Sequence, residues 1–105
     1  MTVKETGQNK QRAVLDGVLH GGFPVECHLT DLAPGLAPHP PHKHVHEEMV
    51  LLQSGALDVT IEDKTTRLTP GSLAIVASNE THGWRNPSPT ERAQYFVIAL
   101  GQGQS

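Results

Sequence analysis

Apolar residues in this chain come in short stretches separated by turn formers, and several of the stretches alternate. Val25, Cys27 and Leu29 alternate with Glu26, His28 and Thr30, the period of a strand with one buried face. Leu57, Val59 and Ile61 alternate in the same way with Asp58, Thr60 and Glu62. Asp63-Lys64 then reads as the tip of a hairpin returning through Thr66 to Leu68. Met49 to Leu52 is a short apolar run closed by the turn signal Ser54-Gly55. Leu73 to Val76 and Gln94 to Leu100 are apolar at nearly every position. Strands of that kind need cover on both faces, so one side is expected to fill an interior and the other to meet a second subunit.

The breaks carry equal information. Asp31 to Pro41 reads as loop, because Pro34, Pro38, Pro40 and Pro41 cannot donate to a strand ladder. Pro70-Gly71 is a turn pair in which proline presets φ and glycine accepts a positive one. About seven short strands joined by such turns predict an all-β barrel or sandwich. One segment has a second reading: Val45, Met49 and Leu52 share a helical face with Ser54-Gly55 as the cap, which would make residues 41–53 helical. The strand-like segments on both sides favour the extended form.

Composition narrows the picture. A chain of 105 residues suits one domain, with residues 1–10 as a polar arm or edge extension and residues 11–105 as the folded unit. A formal net charge of -3, spread along the chain, provides no basic stripe for a phosphate backbone, so no nucleic-acid partner is expected. No apolar run is long enough to cross a bilayer, and Met1 to Arg12 is polar where a signal peptide needs apolar residues. The expectation is therefore a cytoplasmic protein with no membrane partner. The single cysteine, Cys27, cannot form an internal disulfide and reads as a small buried residue.

Histidine is the unusual residue, with seven copies and three of them at His42, His44 and His46. Alternate side chains of an extended strand share a face, so His42 and His44 can converge on one metal ion. Glu48 would lie about 20 Å from His42 on a straight strand, so its joining them requires a bend after His44. A further ligand has to come from a distant segment, and His82 is the candidate, in a turn-rich stretch suited to a loop that delivers a side chain to a barrel mouth. His46 and Glu47 are the rival ligands. His20, His28 and His39 have no partner by spacing and read as ordinary surface or strand residues. Trp84, Tyr95, Phe96 and Phe23 read as core rather than pocket lining. Arg85 and Arg92 read as exposed arginines rather than receptors for a substrate carboxylate.

These residues resemble the cupin family. A first cupin motif places His-x-His, a glutamate and a glycine at fixed spacing, matched here by His42-Lys43-His44, Glu48 and Gly55, with the leading Gly35 one residue early. A second is matched by Gly71, His82 and Asn86, with Ala77 and Asn79 in place of a proline and a glycine. The resemblance implies a double-stranded β-helix of the jelly-roll type whose metal ligands are His42, His44, Glu48 and His82.

Three imidazoles and one carboxylate disfavour magnesium and calcium and leave manganese, iron, cobalt, nickel, copper and zinc. Two coordination positions of an octahedral ion would stay open for a ligand or dioxygen. By resemblance, the expected function is metal-dependent chemistry of a dioxygenase, isomerase, decarboxylase or lyase type on a small oxygenated molecule, in a homodimer. The alternative is a module that binds or senses a metal or small ligand without turnover.

Overall fold

The computed structural model describes residues 3–6, 9–38, 40–43 and 47–101. Among them the regular elements are all strands: β1 (Val3–Thr6), β2 (Asn9–Leu19), β3 (Phe23–Leu32), β4 (Glu47–Ser54), β5 (Leu57–Ile61), β6 (Lys64–Leu68), β7 (Leu73–Val76), β8 (His82–Arg85) and β9 (Ala93–Leu100). They form a larger sheet in the order β1-β2-β3-β9-β4-β7 and a smaller one in the order β6-β5-β8. Every pairing within them is antiparallel. The two sheets close on a shared interior in a jelly-roll barrel.

Turn chemistry sets the connections. Gly55 has φ 84°, and a Cβ there would stand 2.5 Å from the carbonyl oxygen of Arg92. Only glycine gives this turn both the left-handed backbone and the close approach. Gly71 has φ 90°, and Ser72 N–H donates to Thr69 O at 2.9 Å, closing the Pro70-Gly71 turn. The β5–β6 hairpin turns at Glu62-Asp63, one residue earlier than the sequence pattern suggests, with Glu62 at φ 56°. Residues 47–54 are the strand β4, so the helical alternative for that stretch is not what forms.

Register defines the inner face of the larger sheet. Thr30 pairs with Tyr95 and Tyr95 with Leu52; His28 pairs with Val97 and Val97 with Val50; Glu26 pairs with Ala99 and Ala99 with Glu48. Val50, Leu52, Tyr95 and Val97 are buried, so these rows face inward. They meet Leu57, Val59, Leu68 and Trp84 of the smaller sheet in one core with Leu32 and Ala93. The alternation on β3 therefore resolves differently from the expected one. Thr30 and Leu32 face the core, with Glu26 and His28 on the same side, while Cys27 and Leu29 are only half-buried on the outer side. Val25 is buried on that outer side as well. The reason is that both faces of the sheet carry apolar residues and the inner one becomes polar toward one end, so hydrophobicity alone does not orient the strand.

Candidate metal centre

His82 is the best-defined group at the polar end. The sequence placed it in a loop; it is instead the first residue of β8, fully buried, and its partner on β5 is Ile61. Outside the named strands His42 pairs with it: His42 N–H donates to His82 O at 2.9 Å, and His82 N–H donates to His42 O at 2.8 Å. Gly83 makes this approach feasible, since a Cβ there would meet the Cα of Pro41 at 3.2 Å. Two residues forty positions apart are thus joined through their backbones, and their rings meet edge to face at 4.8 Å between centroids.

The turn before β8 sets the His82 ring. Asn79 sits at φ 63°, a conformation asparagine tolerates. Ala77 N–H donates to the Glu80 carboxylate at 2.8 Å, and Glu80 N–H to Ala77 O at 3.2 Å. Ala77 and Asn79, the two departures from the second motif, therefore still make a tight turn. It aims the carbonyl of Glu80 at His82, where Nδ1 donates to it at 2.9 Å. A carbonyl can only accept, so Nδ1 carries the proton, and in the neutral ring Nε2 presents a lone pair.

A carboxylate lies beside that nitrogen. His82 Nε2 lies 3.3 Å from Oε1 of Glu48, whose side chain is buried on the inner face of β4. A buried imidazole nitrogen next to a buried carboxylate oxygen is a pair of donors that one cation could bridge. A histidine whose far nitrogen donates to a backbone carbonyl has the orientation that metal-bound imidazoles adopt. The donor set at this end, imidazole nitrogen beside carboxylate oxygen, therefore fits a divalent transition metal.

The structure sets His82 against His42 on one side and Glu48 on the other. His44 and the rival His46 lie outside the described residues, as does His39. Glu47, the other rival, is exposed on the outer face of β4. Among the described residues no group of three or more histidine, cysteine, aspartate and glutamate side chains is arranged to hold a metal ion.

Behind the polar end, the aromatic side chains form a wall. The His82 ring stacks on Trp84 at 5.7 Å, and Trp84 Nε1 donates to the Tyr95 hydroxyl at 2.9 Å within the core. Burial pushes the Tyr95 phenol up to about 12 against its hydrogen bonds to Trp84 and Thr30, and the Glu48 charge adds to the rise. Tyr95 is thus a neutral hydroxyl that satisfies the indole. Trp84 and Tyr95 are core as the sequence suggests, whereas Phe23 is exposed. Asn86, the last position of the second motif, is fully buried; its amide donates to the carbonyls of Leu32 and Glu91 and its oxygen accepts from Ser88 N–H. It pins the loop after β8 rather than facing a ligand. Arg92 binds Asp31 at 2.6 Å, and Arg85 is exposed on the outer side of the smaller sheet.

His28 is a strand residue, as its sequence pattern suggests. It lies on the inner face with Glu48, and its Nδ1 is buried, 3.5 Å from the Glu26 carboxylate. The available signal was register: β3 and β4 flank β9, so Glu26 shares a row with Glu48.

A small antiparallel barrel with histidine and carboxylate donors at one end of its interior defines the class of protein. The cupin-domain profile matches residues 28–99, and the chain belongs to the cupin family. Solved structures similar to it include KdgF from Halomonas sp., at 16% identity and TM-score 0.81, covering 97% of this chain and 89% of that one. An RmlC-like cupin from Shewanella frigidimarina is 18% identical, with TM-score 0.77 and coverage of 96% and 84%. A putative sugar phosphate isomerase from Acidithiobacillus ferrooxidans is 26% identical, with TM-score 0.67 and coverage of 74% and 51%. No functionally curated protein matches the sequence.

Proposed function

We propose that this cupin binds one divalent transition-metal ion through His42, His44, Glu48 and His82 and acts as a metal-dependent enzyme on a small oxygenated molecule. The observation that carries the reading is the pairing of His82 Nε2 with Glu48 Oε1 at 3.3 Å while Nδ1 is committed to Glu80 O. A metal ion relieves that juxtaposition without a proton. The bound ion would act as a Lewis acid or redox centre toward oxygen ligands. The chain's own residues hold the site in place. The Ala77–Glu80 turn fixes the tautomer of His82, the His42–His82 backbone pair fixes their spacing, and the Trp84–Tyr95 wall excludes water from behind. The likeness to a putative sugar phosphate isomerase supports an oxygen-rich substrate.

The test is metal content after purification without added metal. One equivalent of a first-row ion is expected, lost in Glu48→Gln and His82→Ala. Retention of the metal in both variants would overturn the assignment. Oxygen uptake and substrate loss with diketones, catechols, thiols and sugar phosphates then separate an enzyme from a binding module. Self-association belongs to the same proposal: Leu73 and Ile75 leave the outer face of the larger sheet apolar and exposed. A homodimer is expected in sedimentation, and Ile75→Lys is expected to dissociate it.

A further inference from the structure

The inner face of the larger sheet carries a second polar group that the metal reading leaves unused. Glu26 and His28 project from β3 into the interior, one strand beyond β9 from Glu48 and Val50. Between them β9 presents only Ala99 and Val97. Strands two apart in a sheet lie about 10 Å from one another, so side chains rising from β3 and β4 face each other across Ala99. His28 Nδ1 is buried without a hydrogen bond and faces Glu26 Oε1 at 3.5 Å, with the His28 side chain 21% exposed and that of Glu26 57%. The glutamate thus stands at the rim and the imidazole behind it. On the β2 side the row continues with Ala13 opposite His28 and Asp16 opposite Glu26. The charged residues that share these inner rows are Glu26, Glu48 and Asp16.

We propose that Glu26 and His28 form an acid–base wall beside the proposed metal site, acting on a small ligand that carries a weakly acidic O–H next to a second oxygen function. Glu26 is the positioning residue. By accepting from Nδ1–H it selects the tautomer in which Nε2 of His28 is a proton acceptor, a contact that tightens when ligand is bound. The ligand O–H bond breaks with its electron pair left on oxygen, the proton moves to Nε2, and the resulting imidazolium faces Glu26. The proton returns along the same path on release, so no oxidant or reductant enters. This deepens the metal reading and rests on it for the ligand's second oxygen.

The experiment combines ¹⁵N NMR of the histidine rings with binding of acetohydroxamic acid to the Co²⁺-loaded full-length protein. His28 is expected as the Nδ1–H tautomer in the wild type, shifting toward Nε2–H in Glu26→Gln. The affinity for acetohydroxamic acid is expected to fall at least about tenfold in His28→Gln, and to fall also in Glu26→Gln, with Co²⁺ affinity unchanged in both. An Nε2–H tautomer in the wild type, or equal acetohydroxamic acid affinity in wild type and His28→Gln, would overturn the acid–base wall. Failure of the wild type to bind Co²⁺ would instead overturn the metal reading, and the tautomer would then decide the Glu26–His28 pair on its own.

Discussion

The two ends of the barrel interior are built from the same strands and obey opposite rules. At one end Leu32, Leu52, Leu57, Val59 and Tyr95 are sealed, and the one indole N–H in their midst has a hydroxyl to donate to. At the other, Glu48 and His82 are nearly as buried, yet their facing atoms are an imidazole nitrogen and a carboxylate oxygen. A protein core tolerates buried polar atoms only when they are satisfied. The first end meets that requirement through the Trp84–Tyr95 pair, whereas the second gathers ionisable groups that a proton or a cation would bridge. Apolar closure thus supplies the stability, and the polar end uses it to hold groups that would not otherwise stay together.

Changes at the sealed end are expected to have the largest effect on folding. Leu52→Ala removes a side chain that is 1% exposed and should cost about 2–5 kcal/mol in urea unfolding. A smaller loss would mean that the core relaxes around the cavity. Tyr95 gives the sealed end a pH signature. Its folded-state value of about 12 lies above the ordinary phenol value of 10.0, so the neutral form is the one folding favours. Its contribution is full below about pH 10 and is lost as pH rises toward 12, about 2–3 kcal/mol in all. Alkaline unfolding of Tyr95→Phe should lack that slope. Tyr95→Phe also strands the Trp84 N–H and should cost about 1–3 kcal/mol at neutral pH.

Changes at the polar end are expected to reverse the balance. Glu48→Gln should leave metal-free stability within about 1 kcal/mol of wild type, because glutamine keeps the shape and one accepting oxygen while removing a buried charge. It should lower metal affinity by more than about 100-fold, as loss of a direct ligand exceeds loss of an outer-shell partner. Titration calorimetry and thermal melts with and without metal check both halves. A strong destabilisation without metal would show that the two ends follow one rule after all. The smallest effect is expected outside the barrel. Arg67 holds the Asp58 carboxyl below its usual range through a hydrogen bond, so the pair stabilises at neutral pH and that contribution fades as acid titrates Asp58. Both groups are solvent-accessible, and Asp58→Asn should change the acid limb of the stability curve less than any substitution above.

The strands were legible where apolar residues alternate between turn formers, as in β5, β6 and the run into Ser54-Gly55. The family motif names His42, Glu48 and His82, and the structure sets His82 against each of the other two. Two features were not legible. The long β2 strand, Asn9–Leu19, lies between β1 and β3 with a bulge between Ala13 and Leu15 and exposed residues along most of its length, so no buried stripe marks it. His28 was read as an ordinary strand position because polar residues of an alternating strand are assigned to solvent. On β3 the polar row turns inward at His28 instead, and register, which sequence periodicity does not contain, decides the matter.

The pairing of His42 with His82 has a consequence for how such a site can change over time. Their spacing is set by two main-chain hydrogen bonds and by the absence of a side chain at Gly83, none of which involves an imidazole. Either ring can therefore be exchanged for another donor, or for an apolar group, while the frame that presents it stays in register. A scaffold of this kind separates where chemistry occurs from which chemistry it is, and lets the second vary without renegotiating the first.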